Sequence, residues 1–187
     1  LKQFGLQPEK KTILILGGSL GARSINECVM AHLDEIRNSD IQFIWQIGKI
    51  YYDRVKETLS KEQDIPNLYA IDFIKDMASA YKAADLIISR AGAGSISEFS
   101  ILGKAVILVP SPNVAEDHQT KNAMALVNKG AAIYVKDSEA NEKLISTAFQ
   151  TIEDDRALVS LRTNITKLAL LDSANIIAKE VIKLVES

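Results

Sequence analysis

The sequence predicts an α/β fold: a Rossmann-like, doubly wound parallel sheet of about six strands, followed by C-terminal helices. Three observations predict it. Short apolar, β-branched runs alternate with segments of helical period along most of the chain. Two of those runs end in glycine-rich turns that lead straight into a helix. Beyond Asp137 the alternation stops and the pattern becomes helical throughout.

Thr12–Leu16 (TILIL) has the continuous apolar character of a strand covered on both faces. Ala22, Ile25, Val29, Leu33 and Ile36 then recur at helical spacing and predict one amphipathic helix. Ile41–Ile47 is a second strand, with a helix over Tyr51–Ser60. Asn67–Ile71 is a third, followed by a short helix over Asp76–Ala83. Asp85–Ser89 is a fourth, running through RAGAG into a helix over Ser95–Leu102. Ala105–Val109 is a fifth, closed by Pro110 and Pro112, which cannot extend a central strand. Asp117–Asn128 is helical and ends towards Gly130, and Ala131–Val135 is a sixth strand. Helices over Glu139–Thr151, Asp154–Leu171 and Ser173–Val185 complete the chain, the last with a docking stripe of Ile177, Val181, Ile182 and Val185. Right-handed crossovers make such an alternation a parallel sheet.

At 187 residues, 47% hydrophobic and 25% charged, the chain fits one globular domain. A net charge of -2 gives no general reason to bind nucleic acid. Cys28 stands alone, which excludes a disulfide framework and a cysteine metal site. His118 and His32 have no ligand spacing, so no metal is expected. The longest apolar runs are too short to cross a bilayer. The first residues, LKQFGLQPEKK, carry no signal-peptide core and read as a cut inside a longer protein.

Gly17-Gly18-Ser19-Leu20-Gly21 lies between the first strand and its helix. Its backbone can approach a ligand closely, and the following helix offers unpaired N–H groups, which together suit a phosphate. Arg23 adds a charge one turn in. The plainer reading is a glycine turn that only reverses the chain. A nicotinamide dinucleotide would also want a carboxylate at the end of the second strand, where this chain has Gln46-Ile47-Gly48-Lys49.

The stretch from Arg90 to Glu98 repeats the device at another strand end, so two turns could converge on one diphosphate. Ser95 and Glu98 have capping-box spacing, and that is one reading of them. The other has Glu98 accept hydrogen bonds from two ribose hydroxyls. On the third loop, His118, Gln119 and Asn122 open a helix with side chains that suit sugar hydroxyls, against the plainer reading of a solvated first turn. Phe73 and Ile74 could meet a flat base or simply fill the core. Trp45 is expected in the core.

The order GGSLGA, FIKDMASAY, ISRAGAGSISE and EDHQTKNA resembles the C-terminal half of the MurG-type glycosyltransferases, over about Thr12–Val185. The resemblance implies a GT-B architecture of two Rossmann-like halves, with residues 1–11 a remnant of the interdomain linker and 12–187 the donor-binding domain. It implies transfer of N-acetylglucosamine from its UDP donor to undecaprenyl-diphospho-muramoyl-pentapeptide (lipid I), giving lipid II for the cell wall. It implies further that the transfer is inverting, needs no cofactor, and takes place peripherally on the cytoplasmic face of the membrane. By the same resemblance Ser19, with Gly17, Gly18 and Gly21, meets the diphosphate, and Ile74 meets the uracil through its backbone with Phe73 beside it. Ala93, Gly94 and Ser95, with Ile96 and Ser97 following, serve phosphate and sugar. Glu98 holds the ribose, and Gln119, with His118 and Asn122 near it, reads the sugar hydroxyls. His118 and Gly94 depart from the pattern of some members. The acceptor site, the general base and the membrane contact are expected in the other half, so this chain alone should bind donor and turn over little. Rival readings are a UDP-GlcNAc 2-epimerase of the same architecture, a nicotinamide-dependent oxidoreductase and a nucleotide-sensing module.

Overall fold

A computed structural model describes residues 4–113 and 117–169 of the chain. Six parallel strands form one sheet: β1 (Thr12–Leu16), β2 (Gln42–Gln46), β3 (Leu68–Ile71), β4 (Leu86–Ser89), β5 (Ala105–Leu108) and β6 (Ile133–Tyr134). Their spatial order is β3-β2-β1-β4-β5-β6. The chain therefore walks outward from β1 through β2 to β3, then returns to the other side of β1 for β4. That reversal is the topological switch point of a doubly wound fold, where the crevice for a ligand opens at the carboxyl ends of the strands.

Alternation along each strand sends side chains to two cores. Ile13 and Ile15 of β1 pack with Phe43 and Trp45 of β2 under α1 (Arg23–Ala31), α2 (Leu33–Arg37), α3 (Tyr52–Leu59) and α7 (Ala140–Glu153). Leu14, Leu16, Ile44 and Ile87 face the opposite way, toward α4 (Met77–Ala83), α5 (Ala93–Leu102), α6 (His118–Val127) and the Ile165 end of α8 (Asp155–Thr166). Trp45 is fully buried, as expected of a core residue, and its indole N–H donates to Asn26 Oδ1 at 3.0 Å. Asn26 in turn donates to the Ile47 carbonyl at 2.9 Å, so neither polar group is left unpaired.

Three departures from the sequence reading have local causes. The single helix expected over Ala22–Ile36 is two, broken at His32 (φ -117°, ψ 22°). The His32 ring nitrogen lies 2.8 Å from the Cys28 carbonyl, the acceptor that a continuous helix would give to the His32 N–H. Helix α5 begins at Ala93 rather than Ser95, with Gly92 in the N-cap position and no side-chain cap. The capping box is thereby excluded. The helix predicted from Glu139 opens with a single 3₁₀ turn over Asp137–Glu139 before α7.

Asp154 caps α8, accepting the N–H groups of Arg156 and Ala157 at 2.9 and 3.0 Å. Of the residues expected as linker, Phe4 and Leu6 are buried, and Phe4 meets Tyr69 edge to face. The helix expected over Ser173–Val185, with its stripe Ile177, Val181, Ile182 and Val185, lies outside the described residues.

Burial pushes the Cys28 thiol up to about 11 from its ordinary 9.0. The unfolded chain therefore releases this proton first. The thiol's contribution to stability is complete below pH 9 and is lost as pH rises toward 11. Urea unfolding should show a loss of roughly 2 kcal/mol across that window, and Cys28→Ala should flatten that part of the pH profile.

Candidate functional site

Leu16 and Ser89, the last residues of β1 and β4, are register partners across the switch point. The two glycine turns therefore leave the sheet side by side. Between them lies a cleft of about 360 Å³. Gly17, Gly18, Ser19 and Leu20 form one wall, and Arg90, Gly92 and Ser95 form another. Gln46, Met77, Tyr81 and Gln119 complete the lining.

The first turn is held in place by the loop after β2. Lys49 N–H donates to the Ser19 carbonyl at 3.2 Å, and Ile50 N–H to that of Leu20 at 3.4 Å. Gly21 (φ 100°) and Gly48 (φ 87°) press backbone to backbone, so that a Cβ on Gly48 would stand 2.2 Å from Gly21 N. Gly21 thus does not line the cleft; it packs against Gly48 and the Tyr51 ring. Its necessity comes from packing.

In the second turn the absence of a side-chain cap leaves the first N–H groups of α5 without an acceptor among the described residues, beside a cleft wall. Ile96 N–H is the first to bond back, to the Gly92 carbonyl at 3.0 Å. Ala93, Gly94 and Ser95 accordingly offer N–H groups and the positive end of the helix dipole. A Cβ on Gly94 would meet nothing within 4 Å. Ile96 is half-buried against the core, and the Ser97 hydroxyl is spent on the Ala93 carbonyl at 3.0 Å. Neither lines the cleft.

Glu98 is exposed, and its Oε2 accepts the Tyr81 hydroxyl at 2.6 Å. Tyr81 is buried at the cleft, and burial, reinforced by the Glu98 carboxylate, pushes its phenol well above the ordinary range. It donates a hydrogen bond at any working pH, which fixes the carboxylate's position. Sequence reasoning missed Tyr81. Its only signal was the tyrosine that closes FIKDMASAY.

Arg90 proves structural. It pairs with Asp137, donates to the Val109 and Pro110 carbonyls at 2.9 and 3.2 Å, and reaches Ser24 Oγ at 3.2 Å. It thus ties the ends of β4 and β5 to α1 and the 3₁₀ turn. Arg23 is exposed and pairs with Glu27 at 2.8 Å.

Gln119 lines the cleft, and its Oε1 accepts the Ser111 N–H at 2.9 Å, which leaves its amide N–H₂ as the donor end. Asn122 does not line the cleft; its amide donates to the Ala91 carbonyl at 3.2 Å and braces the second turn. His118 is exposed at the helix start, also off the cleft lining. Asp117 occupies the N-cap with φ 53° and makes no capping bond there; its carboxylate accepts the Thr120 hydroxyl at 2.6 Å.

Phe73 is partly exposed over a hollow shared with Tyr69, Ile71 and Asp72, next to the cleft. Ile74 is buried, and its N–H already donates to Gln46 Oε1 at 3.1 Å. Of its backbone groups, only the carbonyl is left for a base. Among the described residues no group of three or more His, Cys, Asp or Glu could hold a metal ion. No helix among them is long and apolar enough to cross a membrane.

Residues 12–177 match the family model for the glycosyltransferase family 28 C-terminal domain. A protein of Bacteroides thetaiotaomicron, named UDP-N-acetylglucosamine--N-acetylmuramyl-(pentapeptide) pyrophosphoryl-undecaprenol N-acetylglucosamine transferase, is 66% identical over 188 residues, covering 100% of this chain and 50% of the relative. One of the same name from Flavobacterium psychrophilum is 48% identical, covering 98% of this chain and 49% of the relative. The crystal structure of Acinetobacter baumannii MurG aligns with a TM-score of 0.80 at 30% identity, covering 97% of this chain and 52% of that one. A Staphylococcus aureus MnaA structure with UDP aligns at 0.71 and 16% identity, covering 95% of this chain and 47% of that one, and so shares the fold. The chain spans about half the length of these relatives.

Proposed function

Because the chain belongs to the glycosyltransferase family 28 C-terminal domain family, we propose that it is the donor-binding half of an inverting N-acetylglucosaminyltransferase. Its donor is UDP-GlcNAc, and its acceptor is the lipid-linked muramoyl-pentapeptide diphosphate named in the relatives. The observation that carries this reading is the single cleft at the β1–β4 switch point into which both glycine turns open.

In this reading the diphosphate lies between Gly18 and Ser19 on one side and the first N–H groups of α5 on the other. Glu98 accepts the two ribose hydroxyls, Phe73 and the Ile74 carbonyl meet the uracil, and the Gln119 amide donates to a sugar hydroxyl. During transfer the acceptor hydroxyl oxygen bonds to the anomeric carbon from the face opposite the leaving group. The carbon–oxygen bond to the diphosphate breaks, and the hydroxyl proton passes to a base supplied from outside this chain. UDP leaves with added negative charge. N–H dipoles already aimed at that position stabilise it without reorganisation, a term commonly worth several kcal/mol. The complete enzyme would work at the cytoplasmic face of the membrane that carries its lipid acceptor.

Calorimetry tests the reading directly. The chain should bind UDP and UDP-GlcNAc, bind NAD far more weakly, and form no appreciable lipid-linked disaccharide by itself. Binding of NAD with no response to UDP would discard the assignment.

A further inference from the structure

Gln46 is the last residue of β2 and is 4% exposed, yet it belongs to the cleft lining. Its side chain is oriented by a neighbour 28 residues away: the Ile74 N–H donates to Oε1 at 3.1 Å, and an N–H can only face the oxygen end of the amide. The Nε2 end therefore points away from Ile74. No described group accepts its hydrogens, and it is not sealed from solvent. A nine-tenths-buried residue of the cleft lining thus carries an amide donor with no acceptor among the described residues. Its own main-chain carbonyl accepts the Gly17 N–H at 3.2 Å, which fixes the residue to the root of the first glycine turn.

In dinucleotide-binding sheets the end of this strand carries a carboxylate that accepts ribose hydroxyls. Here the same place carries a donor, so it is suited to a ligand oxygen with lone pairs and little else. We infer that Gln46 is a donor-site residue: Nε2 binds an acceptor oxygen in the ribose–phosphate portion of the nucleotide, while Oε1 fixes the Ile74 loop. One side chain thereby sets the spacing between the phosphate turn and the base-side loop. The inference rests on the nucleotide-sugar reading above.

The test is calorimetry of the wild-type chain, Gln46→Glu and Gln46→Met with UDP and with uridine at pH 8, alongside thermal melts. Gln46→Glu keeps an acceptor for the Ile74 N–H, so it should fold normally. It also puts a negative charge where the donor was, and UDP should bind about tenfold or more weakly. Gln46→Met should lose UDP affinity by a similar factor. A loss confined to UDP places the ligand oxygen on a phosphate; an equal loss with uridine places it on the nucleoside. Either pattern supports the inference. Folded Gln46→Glu and Gln46→Met chains that bind UDP within twofold of wild type overturn it and leave the nucleotide reading standing. A wild-type chain that ignores UDP removes both.

Discussion

Replacing Glu98 by alanine is expected to weaken UDP binding by about tenfold to a hundredfold, the cost of hydrogen bonds to a charged group. The start of α5 decides what Glu98 can do. With Gly92 in the N-cap position, Glu98 sits well inside the helix and holds no backbone N–H of the first turn. The loss of about 1 kcal/mol that follows removal of a cap is therefore not expected. The carboxylate is instead exposed beside the cleft and held by the Tyr81 hydroxyl. The effect should depend on the ribose: wild type should prefer UDP over 2′-deoxy-UDP, and Glu98→Ala should lose that preference. Tyr81→Phe removes the tether and leaves the carboxylate, so it should cost about threefold with UDP and blunt the same preference. Calorimetry with the two nucleotides reads all three chains. An unchanged UDP affinity in Glu98→Ala would mean that the carboxylate serves only Tyr81.

The second large effect is on folding. Gly48→Ala should destabilise the chain by about 4 kcal/mol or more, through left-handed strain added to overpacking. The new Cβ would lie 2.2 Å from Gly21 N and 2.3 Å from Gly21 Cα, and both are backbone atoms that cannot rotate away. Relief requires the first glycine turn to lift off the loop after β2, which breaks the bonds from Lys49 and Ile50 to Ser19 and Leu20. Urea unfolding measures the loss, and any folded fraction should also bind UDP poorly because the turn is displaced. Gly94→Ala is the matching control. Its Cβ meets nothing, and an alanine in a helix is worth roughly 0.5–1 kcal/mol over glycine. That variant should keep or gain stability.

The four inner strands were legible because each is a buried parallel strand and so reads as a largely apolar run, while the edge strands β3 and β6 are only partly buried. The two glycine turns were legible for the same reason: each marks the end of such a run. Sequence periodicity did not reveal the break at His32, because the side-chain competition with the Cys28 carbonyl leaves the apolar spacing intact. It also misplaced the start of α5, where Ser95–Glu98 spacing imitates a cap that Gly92 makes unnecessary. The remaining site features depend on pairs distant in the chain. Tyr81 finds Glu98 17 residues on, Ile74 orients Gln46 from 28 away, and Arg90 meets Asp137 across 47. No local pattern encodes these meetings. They appear only once the sheet order puts the strand ends together.

Leu16 and Ser89 end adjacent strands in register. The strand ends from which the two anion-facing turns depart therefore lie one interstrand repeat apart, about 4.8 Å, and the hydrogen-bonded ladder dictates that spacing. The ladder acts as a built-in ruler. Substitutions within either turn can alter which groups are presented, while the gauge between them stays that of the sheet.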